Sequence, residues 1–333
     1  MGPAIPGTRL KDLFFALVCA ALSGRNLKRF PALSDRQWNA LAALARKQTV
    51  LGLFYQGLSH LPQGYALPEG FLLGLVAEVG KIEKQGRKIR QVADDLLQEF
   101  QAAGLHPVLM KGPEVARFYP APLLRECGDI DLYFPPEEFD KAVGMVGKVT
   151  PAPDGSVHYK RDGIDIDQHR HYFDIHSRKL PVVPSSEATL LMLSGHILKH
   201  CMGVGIGLRQ LCDMAMACKG LAVPPERLRQ CFRDASLERW NQLLFSFLHQ
   251  YLGAEPLYDT LPSPEPLTRI ILEGGNFGHY SRRREGTLRQ SPLRRKLGTA
   301  GIILRRLSFS LRYAPKEFLP LVGGLLKGNL TKH

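Results

Sequence analysis

The chain has few cysteines, and they are scattered. Cys19, Cys127, Cys201, Cys212, Cys218 and Cys231 are the six in 333 residues, and no two stand in CxxC spacing. This gives no zinc knuckle and no disulfide framework, and reduced thiols in a cytoplasmic protein fit best. Long apolar runs are also missing. Leu13–Leu22 (LFFALVCAAL) is the one stretch with signal-sequence character, and it is far short of the ~20 residues that span a bilayer. Asp12 directly precedes it, so a core helix is expected there rather than a leader. Pro6 stands where an N-myristoylation signal needs Ser or Thr. His196 and His200 are spaced i, i+4, but Ile197 replaces the Glu of a zinc-protease motif. Acids are scarce at one end only. Ser281–His333 holds 13 Lys+Arg against 2 Asp+Glu, while the whole chain carries a formal +13. The first 280 residues are therefore close to neutral, and the basic end is either a solvated face of a helix packed on the protein's own C-terminal bundle or a surface for an anionic partner, membrane lipid or nucleic acid. No aromatic single-strand platform or nucleic-acid reader motif accompanies the charge.

What the chain does contain is 44% hydrophobic residues, enough for a sizeable core and about two domains. Helical spacing predominates. Lys11–Leu22 reads as a buried helix, and Ser34 with Gln37 has capping-box spacing ahead of Trp38, Leu41, Leu44 and Ala45. Apolar character continues over Val50–Leu58, and Glu69–Gly104 reads as one long helix with a basic middle, Lys81–Arg90. Helices are expected again at Glu137–Val146, Glu187–Met202, Leu208–Leu221, Pro225–Asp234 and Leu237–Leu252, with a basic helix at Pro292–Arg312. Between them lie extended segments. Asp154-Gly155 reads as a turn, Asp162-Gly163 as a hairpin turn joining Val157–Arg161 to Ile164–His169, and Tyr172–His176 as a further strand.

The densest chemistry is in Val108–Phe134, VLMKGPEVARFYPAPLLRECGDIDLYF. Val108–Met110 reads as a buried strand, Lys111-Gly112 as its end, Pro113 as the opening of a helix and Pro120 and Pro122 as its close. Asp129–Phe134 reads as a second strand, and alternation puts Asp129 and Asp131 on one face, Ile130 and Leu132 on the other. Two carboxylates side by side repel one another, and Mg²⁺ would relieve that cost. A glycine beside a helix N-terminus favours a bound anion, so Lys111 and Gly112 are the phosphate-side candidates, although Lys111 can equally pair with Asp129 or Asp131.

The stretch resembles the nucleotidyltransferase superfamily, which has a DNA polymerase beta-like core, and more closely its uncharacterised nucleotidyltransferase family. Lys111-Gly112, Ala116, Tyr119-Pro120, Arg125 and Asp129-Ile130-Asp131-Leu132 carry the likeness, with Pro113 where the superfamily has Ser or Gly. The resemblance extends over roughly Lys11 to Leu221. It implies a third carboxylate on a neighbouring strand. Asp165, Asp167 and Asp174 are the candidates, and Ile166-Asp167-Gln168-His169-Arg170 matches the family pattern, which selects Asp167 and draws His169 into the site. Arg125 would clamp a triphosphate or fix its own loop. His196, His200 and Asp213 also match the family pattern, without a role that the sequence supplies.

The expected fold is therefore α+β and mainly α, with a small α/β core on a mixed sheet set between helical regions. Its divisions are an N-terminal helical region at 1–103, the core at 104–180, a C-terminal helical domain at 186–280 and a basic segment at 281–333. The expected activity is Mg²⁺-dependent transfer of a nucleoside monophosphate from a nucleoside triphosphate, ATP before the others, to a hydroxyl or phosphate acceptor. Polysaccharide and natural-product biosynthesis are the settings that family analogy offers. Asp129, Asp131 and Asp167 would hold one or two Mg²⁺ ions, with Lys111, Gly112, Arg125 and His169 toward the nucleotide. The competing expectation is a non-catalytic nucleotide- or anion-binding protein on the same scaffold. The expected location is cytoplasmic, peripheral at a membrane if the basic end binds lipid.

Overall fold

The computed structural model describes residues 10–275, 301 and 305–326, apart from 148, 150, 153, 154, 178 and 204, with side chains to 320. The protein is mainly helical with one small sheet. Four helices precede the first strand: α1 (Leu10–Ser23), α2 (Asp35–Lys47), α3 (Leu51–Leu58) and the long α4 (Glu69–Ala102). The capping box is present, with Ser34 and Gln37 satisfying each other's backbone donors at the start of α2. Gly104, at φ +72°, turns the chain out of α4 toward the sheet.

The sheet is built from β1 (Val108–Met110), β2 (Asp129–Tyr133), β3 (Val157–Arg161) and β4 (Ile164–His169), in the order β1-β2-β4-β3. Only β2 and β4 are parallel; the two outer pairings are antiparallel. The β3–β4 turn has Asp162 at φ +52° and Gly163 at φ +75°, the double left-handed geometry of a tight hairpin. One face of the sheet is apolar. Ile130, Leu132, Val157, Ile164 and Ile166 pack on Ile89, Val92, Leu96 and Phe100 of α4 and on Phe139 of α6 (Pro136–Met145). Burying that face obliges the alternate residues, Asp129, Asp131, Asp165 and Asp167, to share the other one.

Two local expectations differ. The short helix α5 (Lys111–Ala116) begins at Lys111, two residues before Pro113, and ends ahead of Pro120. Tyr172–His176 forms no strand. The chain leaves the sheet after His169 because Tyr172 enters the helical core and Asp174 pairs with Lys199. The Asp154-Gly155 turn lies partly outside the described residues, since Asp154 is not described.

The second half is helical: α7 (Ser186–Met202), α8 (Leu208–Leu221), α9 (Pro225–Asp234), α10 (Glu238–Leu252), α11 (Glu265–Gly274), α12 (305–313) and α13 (Pro315–Leu326). Most of the basic helix expected at Pro292–Arg312 lies outside the described residues, and its described end falls in α12. Phe14, Leu17 and Phe54 of the first helices share one apolar core with Leu191, Leu211, Trp240 and Phe247 of the later ones. Buried Gln48 ties the two halves: its side chain accepts from Leu208 N at 2.9 Å and donates to Ile271 O at 2.9 Å. Among the described residues, no helix is long and apolar enough to cross a membrane.

Candidate active site

Register brings the carboxylates together. In the parallel β2–β4 ladder, Asp131 pairs with Asp167 and Asp129 with Asp165. His169 stands two residues beyond Asp167 and therefore on the same face. Ligand atoms of Asp131, Asp167 and His169 all lie within 4.8 Å of one another. Asp129 is on this face too, at the open end of β2, but stands outside that compact group.

Asp131 is the most constrained of these groups. It is buried, and one oxygen, Oδ1, lies 2.9 Å from Lys111 Nζ and 2.8 Å from His169 Nε2. Burial alone would raise its pKa, but Lys111 and His169 outweigh burial and hold it well below the usual carboxylate range. For Lys111, burial is outweighed in turn by Asp131 and Asp174, which keep it charged. Lys111 adopts φ +49°, a left-handed conformation that a side-chain-bearing residue rarely holds and that costs about 1–3 kcal/mol. The surroundings that hold this strain also direct the ammonium at Asp131. Asp129 behaves oppositely. Burial and repulsion from Asp131 push its pKa up, and Arg209 offsets them only in part.

Asp167 is oriented from the other side. His158 lies opposite it across the β3–β4 ladder, with Nδ1 at 2.6 Å from Asp167 Oδ1. Ser156 Oγ sits 2.8 Å from the remaining nitrogen, Nε2, of His158. An imidazole that donates from Nδ1 to the carboxylate therefore accepts from the serine hydroxyl. Asp165, the neighbouring candidate, is engaged with Lys160 at 2.7 Å on the exposed part of the sheet. Asp174, the third candidate, is off the sheet with Lys199 at 3.0 Å and His196 at 3.7 Å. Burial would raise its pKa, but His196 and Lys199 hold it well below the usual range. His196 and His200 stack edge to face with ring centres 4.5 Å apart, and burial lowers both imidazoles toward the neutral form.

Arg125 makes the contacts of a loop-fixing residue. It is 5% exposed and bonded to Asp213 of α8 through Nε at 3.0 Å and Nη2 at 2.6 Å. Tyr119 completes the arrangement with its hydroxyl 2.7 Å from Asp213 Oδ1. A guanidinium spent on a buried bidentate partner has little left for a phosphate. Gly112 has a matching reason: a Cβ there would meet Cys127 Sγ at 2.8 Å and Arg125 Nη1 at 3.0 Å. Its lack of a side chain admits the arginine.

Two residues gain roles that sequence reasoning did not assign. His158 was within reach, because counting outward from the two-residue Asp162-Gly163 turn sets it opposite Asp167. Arg209 carried a subtler signal, a cation in the first turn of α8, where the helix dipole disfavours positive charge. Its charge acts on Asp129, its Nη1 donates to Glu126 O at 2.9 Å, and its buried Nε has no partner among the described residues.

This donor set fits a divalent cation. Two carboxylates from adjacent strands and an imidazole converge, and Asp129 beside them is under like-charge stress that a cation relieves. A family model described as "Uncharacterised nucleotidyltransferase" matches residues 34–253. No curated protein and no solved structure matches the chain.

Proposed function

The chain belongs to the uncharacterised nucleotidyltransferase family, and from that premise we propose that it moves a nucleoside monophosphate from a nucleoside triphosphate to a hydroxyl or phosphate acceptor with Mg²⁺. One observation supports this reading above the others: Asp131 and Asp167 are in register on neighbouring parallel strands, with Lys111 and His169 against Asp131.

Asp129, Asp131 and Asp167 would hold the cation, with His169 beside them. Bound there, Mg²⁺ would offset the charge of the triphosphate and of the transition state. Lys111 keeps Asp131 ionised and supplies a fixed positive charge at the nucleotide side. Arg209 acts on Asp129 and adds a second positive charge beside the carboxylates. In the transfer, an acceptor oxygen attacks the α-phosphorus, the bond from that phosphorus to pyrophosphate breaks, and the acceptor loses its proton. Asp167, held by His158, would either complete the metal site or take that proton. Arg125, Tyr119 and Asp213 act at a distance by fixing the loop between α5 and β2.

The test is a thermal-shift screen of the four nucleoside triphosphates with and without Mg²⁺, ATP first. A ligand at about a hundredfold its Kd adds about 2.7 kcal/mol of stability, which is readily seen. Stabilisation that needs both Mg²⁺ and nucleotide supports the reading. No Mg²⁺-dependent shift with any of the four would rule it out.

A further inference from the structure

The last described helices carry two apolar rows, and only one of them is covered. Phe309, Tyr313 and Phe318 face inward and are buried in the main core. The second row points away from the protein. Leu307, Leu311 and Leu319 fall at multiples of four residues and are 36%, 49% and 68% exposed. Residues four apart share a helix face, as Leu307 and Leu311 do. Leu319 stands in the next helix, past the break at Ala314, and is exposed there as well. These leucines are three of the eight large apolar side chains exposed among the described residues, so exposure is concentrated here.

The charge beside the row has one sign. Arg305, Arg312 and Lys316 are exposed next to it. Glu317, the one acid in 305–326, is turned inward, 4% exposed and bonded to His176. The stretch Ser281–His333 carries 13 Lys+Arg against 2 Asp+Glu. Leucines flanked by cations, on helices whose other face is already packed, are the composition of a helix lying in a lipid–water interface. A nucleic-acid surface would use the cations without needing the leucines.

We propose that the outward face of α12 and α13 docks on an anionic lipid bilayer, with the leucine row entering the headgroup boundary and Arg305, Arg312 and Lys316 meeting lipid phosphates or carboxylates. Neither helix spans the bilayer; both lie flat on it. The inference does not depend on the nucleotide reading, and it extends that reading to a lipid-linked acceptor.

The test is co-sedimentation of the full chain with vesicles of phosphatidylcholine alone and of phosphatidylcholine with phosphatidylserine. The protein should pellet with the anionic vesicles at least about tenfold better than with neutral ones. Binding should fall as salt shortens the screening length from about 10 Å at 0.1 M to about 3 Å at 1 M. Replacing Leu307, Leu311 and Leu319 together by Ser, all outward-facing, should lower binding about tenfold while the melting temperature is kept. A second variant guards against a folding defect. Leu311→Trp retains the apolar row, and its fluorescence should shift to the blue on anionic vesicles, since native Trp38 and Trp240 are both buried. Absence of pelleting with anionic vesicles at low salt would overturn the proposal. So would unchanged binding by the triple-serine variant, which would leave charge alone. A wild-type dimer that the serine variant loses, without vesicle binding, would assign the row to a second copy of the chain.

Discussion

Arg125 and Asp213 lie 88 positions apart in sequence and form a bidentate ion pair, with side chains only 4% and 3% exposed. The pair joins the loop before β2 to α8. Breaking it should be expensive, because one buried charge would lose its partner while the arginine cannot deprotonate. Asp213→Asn and Arg125→Met should each cost about 3–5 kcal/mol in urea unfolding. Combining Arg125→Met with Asp213→Leu should recover part of that loss, since neither charge then remains. Tyr119→Phe removes a single hydrogen bond and should cost about 1–3 kcal/mol. Equal stability of Asp213→Asn and the parent would refute the account.

Asp129 offers the opposite sign. Burial and the neighbouring Asp131 raise its pKa in the fold. A carboxyl with a raised folded pKa binds its proton more readily when folded, so stability falls as pH rises from the unfolded value, near 3.9, through the folded one. Asp129→Asn removes that penalty. The variant should melt higher than the parent at neutral pH, and the difference should close as pH drops below about 4. It should at the same time lose Mg²⁺-dependent nucleotide stabilisation. A variant that melts lower at pH 7, or whose gain persists in acid, contradicts the electrostatic reading. The trade of stability for a charged site is common where function needs a cation.

Much of this fold was legible because it rests on local chemistry. The capping box at Ser34, the tight turn at Asp162-Gly163 and the alternation of Asp129 to Leu132 each have one dominant local cause, and each stands as read. The misread segments are those decided by distant contacts. Tyr172–His176 has strand-like composition, yet α7 and the helical core claim its side chains. Arg125 reads equally as a triphosphate clamp or a loop-fixing residue until Asp213, far along the chain, is placed beside it. Gly112 reads as a point of close backbone approach to phosphate, and the structure adds a second reason for glycine there, the approach of Arg125 and Cys127.

That last point is open to measurement. A methyl group at position 112 would sit 2.8 Å from Cys127 Sγ and 3.0 Å from Arg125 Nη1. The first is closer than a side-chain carbon tolerates and the second is tight, so Gly112→Ala should cost about 1–3 kcal/mol through overpacking. Cys127→Ala should relieve part of it, because neighbouring substitutions are coupled. If Gly112 were instead required for close approach of phosphate, Ala would leave urea unfolding unchanged and weaken nucleotide binding alone. The two outcomes separate packing from ligand contact.

The three candidates for the third acid now differ in ways that one series of variants can read. Asp167 faces Asp131 in the parallel ladder, belongs to the compact Asp131–Asp167–His169 group and is held by His158 at 2.6 Å. Asp165 points to the same side but sits at the exposed end of the strand with Lys160. Asp174 is tied to Lys199 and His196 on α7. Asp167→Asn should therefore remove Mg²⁺-dependent nucleotide binding by two orders of magnitude or more, about 3 kcal/mol, with the melting temperature of the free protein nearly kept. Asp165→Asn should stay within about twofold of the parent, because an exposed ion pair contributes about 0–1 kcal/mol. Asp174→Asn should act mainly on stability, since its ionised form is held by two partners on α7 and that contribution is lost once the charge is gone. His158→Ala should resemble a weaker Asp167 variant, lowering binding about 10–100-fold by loosening the carboxylate. Isothermal titration of Mn²⁺ and nucleotide into the four variants decides the matter. If Asp174→Asn abolishes binding and Asp167→Asn does not, the metal lies toward α7 and Lys111, and the register-paired carboxylates serve only to position it.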